Sequence, residues 1–103
     1  MCGKGIVLSV TDTLAVRGTR YGTFAGQARI TQAIKRAMAD SPNWATLPDD
    51  AVNALDMIAS KIARILNGDP NYDDSWHDIG GYAKLIEDRI HAEITRRSAP
   101  EQP

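Results

Sequence analysis

Between Ala51 and Arg89 the chain reads AVNALDMIASKIARILN-GDPNYD-DSWHDIGGYAKLIEDR, two stretches of helical apolar period divided by a short polar loop. In the first stretch Val52, Leu55, Ile58, Ala59, Ile62, Ile65 and Leu66 recur at the three- and four-residue spacing that gathers side chains on one helix face. Pro48 suits the first turn, Asp49 and Asp50 complement the dipole there, and Asn67-Gly68 makes a good stop. The second stretch starts near Asp73 or Asp74 and reaches about Thr95, with Trp76, Ile79, Ala83, Ile86, Ile90 and Ile94 as its buried stripe. Gly80-Gly81 interrupts it. Each glycine costs about 1 kcal/mol relative to alanine inside a helix. Close approach of another helix is the first expected reason, ahead of a kink or a nearby ligand.

Upstream, Ser9-Val10-Thr11-Asp12 has the form of a capping signature and leads into a short helix through Leu14 and Val16, which Gly18 and Gly22 weaken or end. Arg17-Gly18-Thr19-Arg20-Tyr21-Gly22-Thr23-Phe24 reads as a glycine-punctuated basic and aromatic turn. A further helix is expected from Phe24 to Ala39, carried by Ile30, Ala33, Ile34 and Ala37 and stopped by Ser41-Pro42-Asn43. Trp44 and Leu47 plug the connection, and Phe24 is expected in the core. No alternating segment is long enough for a sheet. The fold class is therefore all-α: a compact bundle of about four helices, residues 1–95, completed by oligomerisation. Residues 1–5 read as frayed, and 96–103 as a polar, flexible tail.

With 103 residues the chain is one small domain whose core is modest, the reason a second copy is expected against the last two helices. Twelve basic against thirteen acidic residues leave no strong nucleic-acid signal. No apolar run is long enough for a membrane span, and the start lacks a signal-peptide pattern. A lone cysteine, Cys2, forms no internal disulfide. These features point to a cytoplasmic protein without a membrane partner.

At about 100° per residue, Asn53, Asp56, Ser60, Arg64 and Asn67 share one polar flank of the third helix, and Lys61 points further out. Lys61 and Arg64 lie one turn apart, so both can reach an anion near the helix end. A solvated basic face is the plain alternative, and it weighs more for Lys61 than for Arg64. On the fourth helix Asp74 and Asp78 share an edge at the spacing of a carboxylate pair for one hard cation, while the helix dipole alone accounts for Asp74. With two histidines and one cysteine, His77-Asp78 lacks partners for a metal-phosphohydrolase site, and zinc is excluded. Glycine-rich phosphate loops and a nucleophile elbow are absent from the sequence. Tyr21 and Tyr72 are the aromatics on which a base can stack while arginines hold phosphate; both also suit the role of loop plugs.

Three blocks carry a family resemblance: Arg17-Gly18-x-Arg20-Tyr21-Gly22-x-Phe24, Ala54-Leu55-x-Met57-Ile58-Ala59-x-Lys61-Ile62-Ala63-Arg64-Ile65, and Asp74-Ser75-Trp76-x-Asp78-Ile79-x-Gly81-Tyr82-Ala83. Together, across most of residues 9–90, they resemble a family of small bacteriophage proteins similar to the nucleotide-modification-associated helical domains, and more distantly the MazG-type all-α nucleotide pyrophosphohydrolases. The resemblance implies a phage origin, a helical homo-oligomer and a nucleotide-type ligand. MazG-type enzymes hold Mg2+ through a Glu-x-x-Glu pair on one helix and a Glu-x-x-Asp pair on the next. Here glutamate occurs only as Glu87, Glu93 and Glu101, so Asp56, Asp74 and Asp78 are left as loose substitutes.

The expected function is thus a phage nucleotide-binding protein that sequesters or senses a phosphorylated nucleotide without catalysis. Arg64 and Lys61, with Arg17 or Arg20, would pair with phosphate, and Tyr21 or Tyr72 would stack on the base. A Mg2+-dependent nucleotide pyrophosphohydrolase, with metal on Asp56, Asp74 and Asp78, is the second expectation. A structural or host-protein-binding helical oligomer is the third.

Overall fold

A computed structural model of the chain describes residues 9–98, and among them all regular structure is helical. Helix α1 spans Val10–Tyr21, α2 Phe24–Ala39, α3 Asp49–Asn67 and α4 Asp73–Ser98, with a single 3-10 turn at Trp44–Thr46 between α2 and α3. The described residues form an all-α bundle of four helices. Residues 1–5, expected to fray, lie outside the described residues, as does the expected tail beyond residue 98; Arg96, Arg97 and Ser98 continue α4 instead of leaving it.

Local chemistry accounts for the helix ends. Ser9 Oγ accepts from the Asp12 amide at 3.1 Å and caps α1, and Thr23 Oγ1 does the same for α2 through the Gly26 amide. Pro48 occupies the N-cap position of α3, so Asp49 and Asp50 fall in the first turn as expected. The stretch from Arg17 to Tyr21 is helical, where the sequence suggested a turn: α1 runs through Gly18 and stops at Gly22, whose φ of 76° favours glycine.

Helix α3 is the spine, packed against α4 and α2 and more lightly against α1. Its buried positions are Ala51, Ala54, Ala59, Ala63 and Ile65. Four of these five are alanines, which bury little apolar area each but let neighbouring helix backbones approach closely. The large apolar residues end up at the margins. Leu66 is 68% exposed and Trp76 57%, its indole nitrogen donating to the Pro70 carbonyl at 2.9 Å. Of the stripe expected on α4, Ile79 and Ile86 are half-buried, while Trp76, Ala83, Ile90 and Ile94 are exposed.

Gly80 and Gly81 correct a second expectation. Both are exposed, and a β-carbon at either would meet nothing within 4 Å among the described residues, so none of the described helices approaches them closely.

The polar flank of α3 is not a solvated face. It meets α2 and the α1–α2 turn in an antiparallel ladder: Asp56 to Lys35 at 3.8 Å, Ser60 to Gln27 at 3.5 Å, Arg64 to Tyr21, and Asn67 to the Tyr21 and Thr23 carbonyls. On the α4 side Lys61 pairs with Asp78 at 2.9 Å, and Arg89 holds Asp50 through two bonds at 2.8 and 2.9 Å. The Arg89 bonds keep the Asp50 carboxyl below the usual carboxylate range.

Candidate functional site

The α1–α2 turn is pinned to the end of α3. Asn67 Nδ2 donates to Tyr21 O at 2.7 Å and to Thr23 O at 2.8 Å, and the Asp69 amide donates to Arg20 O at 2.7 Å. Gly68 permits this approach, since a β-carbon there would collide with the backbone of Arg20 and Tyr21. Two backbone segments distant in sequence are thereby locked side by side, and the basic and aromatic residues that flank them are brought together.

The result is a cluster of three guanidinium groups on two tyrosine rings. Arg64 lies 4.5 Å and Arg17 5.8 Å from the Tyr21 ring centre; Arg20 lies 4.8 Å from that of Tyr72. Arg20 also donates to the Tyr72 hydroxyl at 3.1 Å, and the two rings meet edge to face at 6.1 Å. Each such cation–ring contact contributes about 0.5–1 kcal/mol when exposed and up to about 2 when desolvated. That offsets part of the repulsion among three like charges. None of the ion pairs among the described residues involves Arg17, Arg20 or Arg64. Arg64 Nε is shielded from solvent and donates no hydrogen bond among the described residues.

Beside the cluster a cleft of about 470 Å³ is walled by Leu14, Arg17 and Tyr21 from α1, Phe24 and Gln27 from α2, and Arg64 from α3. Its size falls in the range of small-molecule sites. Guanidinium groups present several planar donors and remain charged at any ordinary pH, so this arrangement suits a phosphate or carboxylate.

Five of the six expected ligand residues, Arg17, Arg20, Tyr21, Arg64 and Tyr72, thus share one neighbourhood. Lys61 does not join them. Its ammonium is turned to α4 and engaged with Asp78, with 12% of its side chain exposed. The hydrogen bond from Lys61, helped by the charges of Lys61, His77 and Arg64, outweighs desolvation and holds the Asp78 carboxyl below its usual range.

The expected metal ligands stay apart. Asp56 faces Lys35 on the α2 side of α3, Asp78 faces Lys61 on the α4 side, and Asp74 is exposed in the first turn of α4. Among the described residues no three His, Cys, Asp or Glu side chains converge as a metal site needs. Asp56, Asp74 and Asp78 therefore do not form one such group.

Three residues of the site escaped the reading of the sequence. Asn67 was placed on the correct flank, but its clamp on the distant turn leaves no local signal. Phe24, expected in the core, is 81% exposed, as its place in the first turn of a helix capped by Thr23 allows. Gln27 follows it by one helical turn.

Among the described residues no helix is long and apolar enough to cross a membrane. Compared with known protein families, curated proteins and solved structures, the chain matches none.

Proposed function

We propose that the chain binds a phosphorylated nucleotide in the cleft between α1, α2 and α3 and holds it intact. The observation that carries this reading is the pair of guanidinium groups of Arg17 and Arg64 in the cleft wall, with that of Arg20 alongside on Tyr72, all without a carboxylate partner among the described ion pairs. Assembling like charges is unfavourable unless an anion completes the site. The position of the acids favours holding over hydrolysis, since Asp78 is tied to Lys61 while Asp56 lies on the opposite flank of α3, facing Lys35 at 3.8 Å. Given the resemblance of the sequence blocks to phage proteins, the role proposed is sequestration or sensing of a host nucleotide signal.

A thermal-shift panel of nucleotides and cyclic nucleotides, with and without Mg2+, tests this. The expected result is stabilisation without Mg2+ and recovery of unchanged ligand by chromatography. A flat response to every nucleotide would sink the reading. Release of pyrophosphate that vanishes in Asp78→Ala would favour the Mg2+-dependent pyrophosphohydrolase instead.

Self-association is proposed alongside. Between α3 and α4 an open groove of about 420 Å³ is lined mainly by Ala54, Leu55, Ile58, Ile86 and Ile90, and unpaired apolar surface of this kind favours burial against a partner. Sedimentation at micromolar concentration is expected to give a mass above one chain, reduced by Leu55→Glu; a monomeric mass throughout contradicts it.

A further inference from the structure

The two tyrosines that the sequence offers as base-stacking surfaces are already engaged. Tyr21 carries the guanidinium groups of Arg64 and Arg17, and Tyr72 carries that of Arg20 and meets the Tyr21 ring edge to face. Their rings seat the cations, which fixes where the positive charge sits. An incoming ring would have to share Tyr21 with two guanidinium groups and Tyr72 with one.

Phe24 is differently placed. It lines the same cleft as Arg17 and Arg64, yet 81% of it is exposed. Its backbone is held on both sides. The preceding residue, Thr23, gives its carbonyl to Asn67 and its hydroxyl to the Gly26 amide, so the first turn of α2 is fixed before any ligand arrives. Leu14, 62% exposed, adds a second apolar wall from α1. The cleft lining therefore divides into two kinds of side chain, apolar in Leu14 and Phe24 and cationic in Arg17 and Arg64.

From this division we infer that Phe24 is the stacking platform of the site and that its ligand is a planar ring joined to a phosphate, not a free inorganic anion. The inference rests on the phosphate-binding reading above and adds to it the ring-recognising residue. An inorganic phosphate or pyrophosphate engages the guanidinium groups alone and leaves Phe24 in water. A nucleoside phosphate covers both sides of the cleft at once. Stacking of a base on an aromatic side chain changes affinity about ten-fold or more on alanine substitution.

Calorimetric titration of the full chain with ADP and, separately, with inorganic pyrophosphate tests the assignment, repeated on Phe24→Ala and Phe24→Trp. ADP is expected to bind at least about ten-fold more tightly than pyrophosphate. Phe24→Ala should erase that gap while pyrophosphate affinity stays as it was, and Phe24→Trp should keep it. Because Phe24 is exposed, the alanine variant is expected to fold, and circular dichroism checks this. If pyrophosphate binds but the gap is missing, or survives in Phe24→Ala, the platform is overturned and the phosphate site stands. Failure of both ligands to bind overturns the phosphate reading and the platform with it. A gap that survives in Phe24→Ala together with a lower sedimentation mass would assign Phe24 to an interface between copies, which also overturns the platform.

Discussion

Removing the Asn67 side chain should release α1 while leaving the rest of the bundle in place. Asn67→Ala deletes two neutral hydrogen bonds, at 2.7 Å to the part-buried Tyr21 carbonyl and at 2.8 Å to the exposed Thr23 carbonyl. A bond of this class contributes about 0.5–1.5 kcal/mol net. The part-buried one belongs near the top of that range and the exposed one, which water can replace, near the bottom, for a sum of about 2 kcal/mol. The loss concentrates on α1 because that helix has no buried residue of its own and α3 holds it chiefly through the turn. An isolated helix this short is marginal in water. About 2 kcal/mol corresponds to roughly a thirty-fold shift in an opening equilibrium. Native-state hydrogen exchange reads it directly: α1 amides should exchange about thirty times faster in the variant, while those in the middle of α3 keep their rate. Unchanged exchange in α1 would refute the clamp, and equal acceleration along the whole chain would refute its local character.

Gly80→Ala and Gly81→Ala are each expected to stabilise α4 by up to about 1 kcal/mol in urea denaturation, since both sites are open to a β-carbon; a loss of stability would show that something beyond the described residues packs against them. The Lys61–Asp78 pair predicts an acid limb in stability. The folded carboxyl is depressed, so its contribution is present above the unfolded carboxylate range of about 3.9 and fades as pH falls through the lower folded value. Asp78→Asn should flatten that limb in acid titrations followed by circular dichroism, and an unaltered limb would remove Asp78 from it. Ligand binding should also weaken as salt is raised, because the guanidinium groups of Arg17 and Arg20 are exposed; an affinity insensitive to salt would speak against a phosphate held by them.

Much of the fold is legible in residue spacing, because helix periodicity and end signals are local. The stop at Asn67-Gly68, the acids after Pro48 and the cap at Ser9 all lie where the chain uses them. The depth of burial is less legible. Apolar spacing selected Leu55, Leu66 and Trp76 for the core, whereas α3 packs through alanines and leaves those larger side chains at the edge. The Gly80-Gly81 pair likewise suggested a neighbour that the described residues do not supply.

At the site, residue chemistry brought Arg17, Arg20, Tyr21, Arg64 and Tyr72 into view, but their division of labour needed three dimensions. Lys61 and Arg64 are near neighbours along α3, yet one turns to α4 and the other to the α1–α2 turn. Only the observed partners distinguish a lysine tied to Asp78 from an arginine left beside a cleft. The pairing of Asn67 with carbonyls more than forty residues away is set by packing, which no local pattern encodes.

The most direct test of the account is the nuclear magnetic resonance signal of the arginine side chains during titration with ADP. Arg64 Nε is shielded and donates no hydrogen bond among the described residues, so an anion reaching it should move its resonance strongly. Saturable shifts are expected at the Nε groups of Arg17 and Arg64, a smaller one at Arg20, and none at Arg89, which is held by Asp50 at the opposite end of α3. No saturable shift at Arg17 and Arg64, or shifts confined to Arg89 and the α3–α4 groove, would contradict it.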